Sequence, residues 1–177
     1  HYARPHTPKG IALVLMDWSF YAASLAGVLW LPALWEKLAA SLFLGFTVSN
    51  LFGLGHELAH GAVVRPRGLN RVLAVLCFAP GLINYRMWLW DHNAQHHIRA
   101  NIRDARNSWT PLTKAEFDAL PAYRRLLNRA YRAPFGLGFG LGYFLERWLH
   151  VDFFPRGPAM PAHLRPAAWR HTAGLLA

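Results

Sequence analysis

Two apolar runs near the start of the chain set the first expectation. Ile11 to Trp35 carries a single charge, Asp17, and is broken near its end by Pro32. At about 1.5 Å per residue it can cross a hydrocarbon core of about 30 Å. A short link with Glu36 and Lys37 leads into a second run, Leu38 to Gly55, whose main polar member is Asn50. Together they predict a transmembrane helical hairpin over residues 11–55.

The pattern changes at His56. Residues 56–133 hold a dense series of arginines: Arg65, Arg67, Arg71, Arg86, Arg99, Arg103, Arg106, Arg124, Arg125, Arg129 and Arg132, together with Lys114. The link inside the hairpin carries one lysine. The bias of positive charge toward the cytoplasmic face puts the basic region and the N-terminus on that side. Val72 to Trp90 is apolar but interrupted by Pro80-Gly81 and Arg86, which predicts a membrane-surface or re-entrant helix pair. Thr113 to Arg132 predicts one amphipathic surface helix, with Leu120, Tyr123, Leu126, Leu127 and Tyr131 as its apolar positions. Thr113 and Glu116 are spaced as a capping box. Phe135 to Leu149 is apolar and Gly-rich but short for a span. Pro155, Pro158, Pro161 and Pro166 mark a loop, and Trp169 opens a further apolar run that the 177 residues do not complete. There is no internal repeat. The fold class is all-α: one integral membrane domain over residues 1–177, the hairpin at 11–55 and a cytoplasmic helical cap at 56–133.

Composition reinforces the membrane reading. Apolar residues make up 54% of the chain and charged residues 16%, and many of the eight Trp and six Tyr flank the apolar blocks, where such rings suit the membrane interface. The net charge of +10 fits topology and anionic lipid headgroups better than nucleic acid in a chain this apolar. Cys77 is the only cysteine, which excludes an intrachain disulfide and a cysteine metal cluster. The first apolar run is too long for a secretory signal core and has no cleavage site of the usual kind. The chain starts at His1 and stops inside an apolar run, so both ends read as cuts in a longer protein.

Five of the ten histidines fall in two clusters: His56-Glu57-Leu58-Ala59-His60 and His92-Asn93-Ala94-Gln95-His96-His97. On an α-helix, positions i and i+4 share a face, so His56 and His60 can address one metal, as can His92 and His96. His97 lies about 100° round the helix and can reach a neighbouring metal. A lone histidine near an apolar helix is usually structural. Two clusters, each at the end of an apolar segment, point to ligation. Imidazole suits iron, zinc and copper, and five exceed what one tetrahedral zinc takes. The set suits a two-metal site that still needs ligands.

Two rivals remain at this point. His56-Glu57-x-x-His60 matches the zinc-protease pattern, in which the Glu is general base. That reading leaves His92, His96 and His97 without a role and lacks a downstream carboxylate motif. A carboxylate-bridged diiron bundle needs a second Glu-x-x-His pair, and none exists.

The order His-x3-His, about thirty residues, then His-x3-His-His resembles the first two histidine boxes of membrane fatty acid desaturases and related hydroxylases. Asn101, Asp104, Trp109-Thr110-Pro111-Leu112, residues 116–125 and Gly140 to Trp148 are similar to the bacterial acyl-lipid, omega-6-type branch. The resemblance covers about residues 40–155. It implies two iron ions (Fe2+/Fe3+), O2, a fatty acyl lipid substrate, membrane lipids as neighbours, and electrons from ferredoxin or a cytochrome b5-type protein. It also implies the bacterial inner membrane, with the boxes on the cytoplasmic side. A related hydroxylase or ketolase is the nearest alternative, and a membrane metal or heme binder without activity the non-enzymatic one. Groups expected to orient the imidazoles are Glu57, Asp91, Asn93, Asn101 and Asp104. Trp88 and Trp90 are expected to line an acyl tunnel or anchor their helix. Arg99, Arg103 and Arg106 can meet headgroups or an acidic donor, or form a solvated face. Two departures stand out. This branch often has Asp where Glu57 sits. The third box, His-x2-His-His, is absent, since His150, His163 and His171 are isolated. It is expected beyond Ala177, and these 177 residues alone are expected to be inactive.

Overall fold

A computed structural model describes residues 4–99, 112–133, 148–149, 153–155 and 160–177. All regular elements among them are helical. The chain divides into two compact units, residues 1–83 and 84–177.

The first unit is built on a helical hairpin, α1 (Thr7–Trp30) and α2 (Leu34–Ala59). Both helices are long and apolar enough to cross a membrane. Their side chains are largely exposed, among them Leu13, Leu15, Phe20, Leu38, Leu42 and Phe46. Lipid is a solvent in which such a surface is stable. α1 begins four residues before the predicted span. His6 Nδ1 accepts the Lys9 N–H at 3.3 Å, and Pro8 suits the first turn, where its missing N–H costs nothing. Leu31–Ala33 turns the chain. Glu36 then accepts the Ala33 N–H at 3.1 Å to start α2.

α2 runs past the predicted end of the second span and carries box one on its last turn. It is followed by α3 (Arg67–Phe78) and a 3-10 turn, Ala79–Gly81. The turn falls at the predicted Pro80-Gly81 break. Asn70 is buried and ties the loop between α2 and α3: its Oδ1 accepts the Val64 N–H at 3.1 Å, and its Nδ2 donates to the Val64 carbonyl. Thr7 Oγ1 accepts the Arg65 N–H at 2.9 Å, which joins that loop to the start of α1.

The second unit opens with α4 (Tyr85–Leu89), a π-helix (Trp90–His96) and a last turn, α5 (His97–Arg99). α6 (Lys114–Ala119) and α7 (Ala122–Tyr131) follow. A 3-10 turn, Ala162–Leu164, precedes α8 (Arg165–Leu176). α8 packs on α4 around Met87, Met160 and Ala168, with Trp90 and Leu164 at the edge. The single amphipathic helix expected over residues 113–132 is two helices. Leu120 is extended (ψ 145°) because the ring of Pro121 disfavours helical backbone in the residue before it. The expected capping box is formed: Thr113 N–H donates to Glu116 Oε2 at 2.7 Å, and Glu116 N–H to Thr113 Oγ1 at 3.3 Å.

Candidate metal centre

Box one is fixed by how α2 ends. His60 is the helix C-cap and Gly61 follows it at φ +72°, in the left-handed region that glycine enters without penalty. Gly61 N–H donates to the Leu58 carbonyl at 2.9 Å and Ala62 N–H to the Glu57 carbonyl at 3.1 Å. This is the Schellman closure, which satisfies carbonyls that a helix end leaves open. Gly55 lies against α3: a Cβ there would come within 2.6 Å of the Phe78 ring. That close approach anchors the turn carrying His56.

Within this turn the His56 and His60 rings are 4.7 Å apart, edge to face, and each offers a ring nitrogen within 4.8 Å of the other's. Glu57 Oε1 lies 3.0 Å from His56 Nδ1. With the proton on Nδ1, Glu57 accepts it and leaves Nε2 of His56 for a ligand, the usual arrangement of an outer carboxylate behind a metal-binding imidazole.

Box two departs from the α-helix that the spacing predicts. From Trp90 to His96 the backbone is π-helical, and the His97 N–H donates to the His92 carbonyl, five residues back. Hydrogen bonds of that step bring residue i beside i+5. His92 therefore meets His97 directly, Nε2 to Nε2 at 3.0 Å, with ring centroids 4.6 Å apart. His96 is 5.2 Å from His92 and 5.6 Å from His97, ring to ring. The three rings form one group on a single turn, instead of a pair with the third set aside.

The donor chemistry suits a metal, since imidazole nitrogens ligate iron, zinc and copper alike. His92 and His97 bring two such nitrogens within 3.0 Å of each other. The side-chain Oδ1 of Asn93 is buried with no hydrogen-bond partner among the described residues, a polar atom left open beside the histidines.

The other expected site residues sort by position. Trp88 is buried, and its ring stacks on His92 at 4.3 Å and 16°. Trp90 lines a cavity of about 270 Å³ with Arg86, Leu89, Met160, Leu164 and Ala167. Asp91 is partly buried in the first turn of the π-helix. Asn101 and Asp104 lie outside the described residues, as do Arg103, Arg106, His150 and most of the apolar segment 135–149. One residue that the sequence reading passed over supports box two. Asn84 is fully buried at the start of α4. Its Oδ1 accepts the N–H groups of Arg86 (3.0 Å) and Met87 (3.2 Å), and its Nδ2 donates to the Ala168 carbonyl (2.8 Å) and Thr172 Oγ1 (2.7 Å). The Thr172 hydroxyl in turn donates to the Phe153 carbonyl at 2.8 Å. Asn before a short helix is a cap signal. Its partners on α8 lie more than eighty residues away and leave no local trace.

Comparison with known proteins adds the following. The family model for fatty acid desaturases matches residues 30–177. The chain is 32% identical over 130 residues to the sn-1 oleoyl-lipid 12-desaturase of Synechocystis sp., an alignment covering 72% of this chain and 36% of that protein. It is 26% identical over 124 residues to the chloroplastic omega-6 fatty acid desaturase of Spinacia oleracea, covering 70% and 27%. It is 28% identical over 118 residues to the sn-1 acyl-lipid omega-3 desaturase (ferredoxin) of Synechocystis sp., covering 67% and 28%. The matched part of the chain thus spans about a quarter to a third of the length of these relatives. No solved structure matches it.

Proposed function

This chain belongs to the fatty acid desaturase family, and from that premise we propose that it is the histidine-bearing part of a membrane diiron enzyme that desaturates the acyl chain of a lipid with O2. The observation that carries the reading is that the family match over residues 30–177 takes in both histidine clusters. Because the matched stretch covers only 36% and 27% of these relatives, the activity is assigned to the full-length protein.

In this reading His56, His60, His92, His96 and His97 would serve as ligands for two irons, with further ligands still required. Two irons held there would supply the oxidising power to break an unactivated C–H bond, which no side chain does unaided. The protein's own residues orient and shield. Glu57 fixes the tautomer and angle of His56. Trp88 covers one face of His92. Asn93, Asn101, Asp91 and Asp104 are the further candidates for orienting groups. The apolar wall of Leu89, Trp90, Met160 and Leu164 suits an alkyl chain, with the Arg86 cation at the same cavity. α1 and α2 anchor the protein in the bacterial inner membrane, and the histidines face the cytoplasm, where ferredoxin or a cytochrome b5-type donor reaches them. The name of one relative includes ferredoxin, which favours that donor.

The test is the lipid profile of a host that makes saturated and monounsaturated acyl chains, expressing the full-length gene. A new double bond is expected, and it should vanish in His60→Ala and His96→Ala variants. An unchanged double-bond pattern alongside hydroxylated lipids or altered carotenoids would overturn the desaturase reading in favour of a hydroxylase or ketolase.

A further inference from the structure

The pair α6–α7 has no buried side chain. On α7, Tyr123, Leu126, Leu127, Ala130 and Tyr131 recur at i, i+3, i+4, i+7 and i+8, which gathers them on one face. Tyr123 is 60% exposed, Leu126 69% and Leu127 44%. Arg124, Arg125, Asn128 and Arg129 occupy the opposite face. The two carboxylates of the segment both belong to α6 and are engaged there: Glu116 in the capping box, Asp118 with Lys114. α7 has three arginines and no acid. At the boundary between its faces the Arg124 guanidinium lies 5.9 Å from the Tyr123 ring centroid, with Nε donating to the Tyr123 hydroxyl at 3.2 Å.

We propose that α7 lies in the headgroup layer of an anionic glycerolipid leaflet, with Tyr123, Leu126 and Leu127 in the acyl boundary and Arg124, Arg125 and Arg129 among the phosphates. Cations alone would suit any polyanion, but nucleic acid would leave the apolar face in water. An apolar face with a rim of arginines is the pattern of an interfacial helix. Near an anionic surface each arginine contributes about 1 kcal/mol. A free helix of ten residues is marginal in water. This one is carried by a chain whose α1 and α2 are long enough to cross a bilayer, and the tether raises its effective concentration at the lipid surface. The proposal is independent of the reaction that the protein catalyses.

The experiment uses full-length protein in nanodiscs of phosphatidylcholine alone or mixed with phosphatidylglycerol. A Leu126→Cys variant, made in a background in which every native cysteine of the full-length protein, Cys77 included, is replaced by Ala, carries an environment-sensitive fluorophore. Lipid-borne nitroxide and aqueous iodide are the two quenchers. Lipid quenching is expected to be about threefold or more stronger in the anionic discs. Replacing Arg124, Arg125 and Arg129 with Gln should remove the difference. Equal lipid quenching in both discs would overturn the role of charge. A label reached mainly by iodide, or protected from both quenchers by protein, would overturn the lipid contact itself.

Discussion

Gly61 ends α2 one residue after His60, and the position of that imidazole depends on the left-handed turn that follows it. Gly61→Ala is expected to lower stability by about 1–2 kcal/mol, because a Cβ clashes with the neighbouring carbonyl in that conformation. Gly53, on the same helix with open space around it, is the control. Gly53→Ala should be neutral, or stabilising by up to about 1 kcal/mol. Thermal unfolding of the detergent-solubilised full-length protein reads both. Glu57 gives a second contrast. If it holds His56, Glu57→Ala weakens metal binding about 10–100-fold, measured by titration against a competing chelator. A general base at that position would leave metal affinity intact and abolish turnover. The histidine clusters themselves were legible in the sequence, since their spacing is local. The 3.0 Å meeting of His92 with His97 was not, because it follows from a π-helical step that the composition of Trp90–His96 does not announce.

The elements carrying the boxes are held by contacts of two kinds. α2 reaches α3 through the space left by Gly55, so Gly55→Ala should push Phe78 aside and destabilise the end of α2. α4 is clamped to α8 by Asn84, all four of whose polar valences are used. Asn84→Ala is expected to cost about 2–4 kcal/mol, the sum of a lost cap and buried groups left unpaired. Thr172→Val should follow it in direction, and Thr172→Ser, which keeps the hydroxyl, should stay close to wild type; denaturant unfolding distinguishes the three. The helices were largely legible from apolar periodicity and caps. The break at Leu120-Pro121 is hidden in the apolar pattern, which continues through it, and only the proline's bias toward extended backbone at Leu120 marks it. The clamp between α4 and α8 could not be read at all, since it joins residues 84 and 172 through single hydrogen bonds.

At the scale of the whole molecule, the pair of helices long and apolar enough to cross a membrane is the most legible feature, because length and apolarity can be read directly from the sequence. Cys77, the only cysteine, is buried on α3 and reports on the integrity of the first unit. It should resist maleimide in the native membrane and react once denaturant opens that unit. The central claim is that both histidine clusters serve one diiron site in the full-length protein, and metal analysis of that protein purified from membranes tests it most directly. Two irons per chain are predicted, with a marked loss when either His60 or His96 is replaced by Ala. One zinc per chain, lost with His60→Ala and indifferent to His96→Ala, would contradict it.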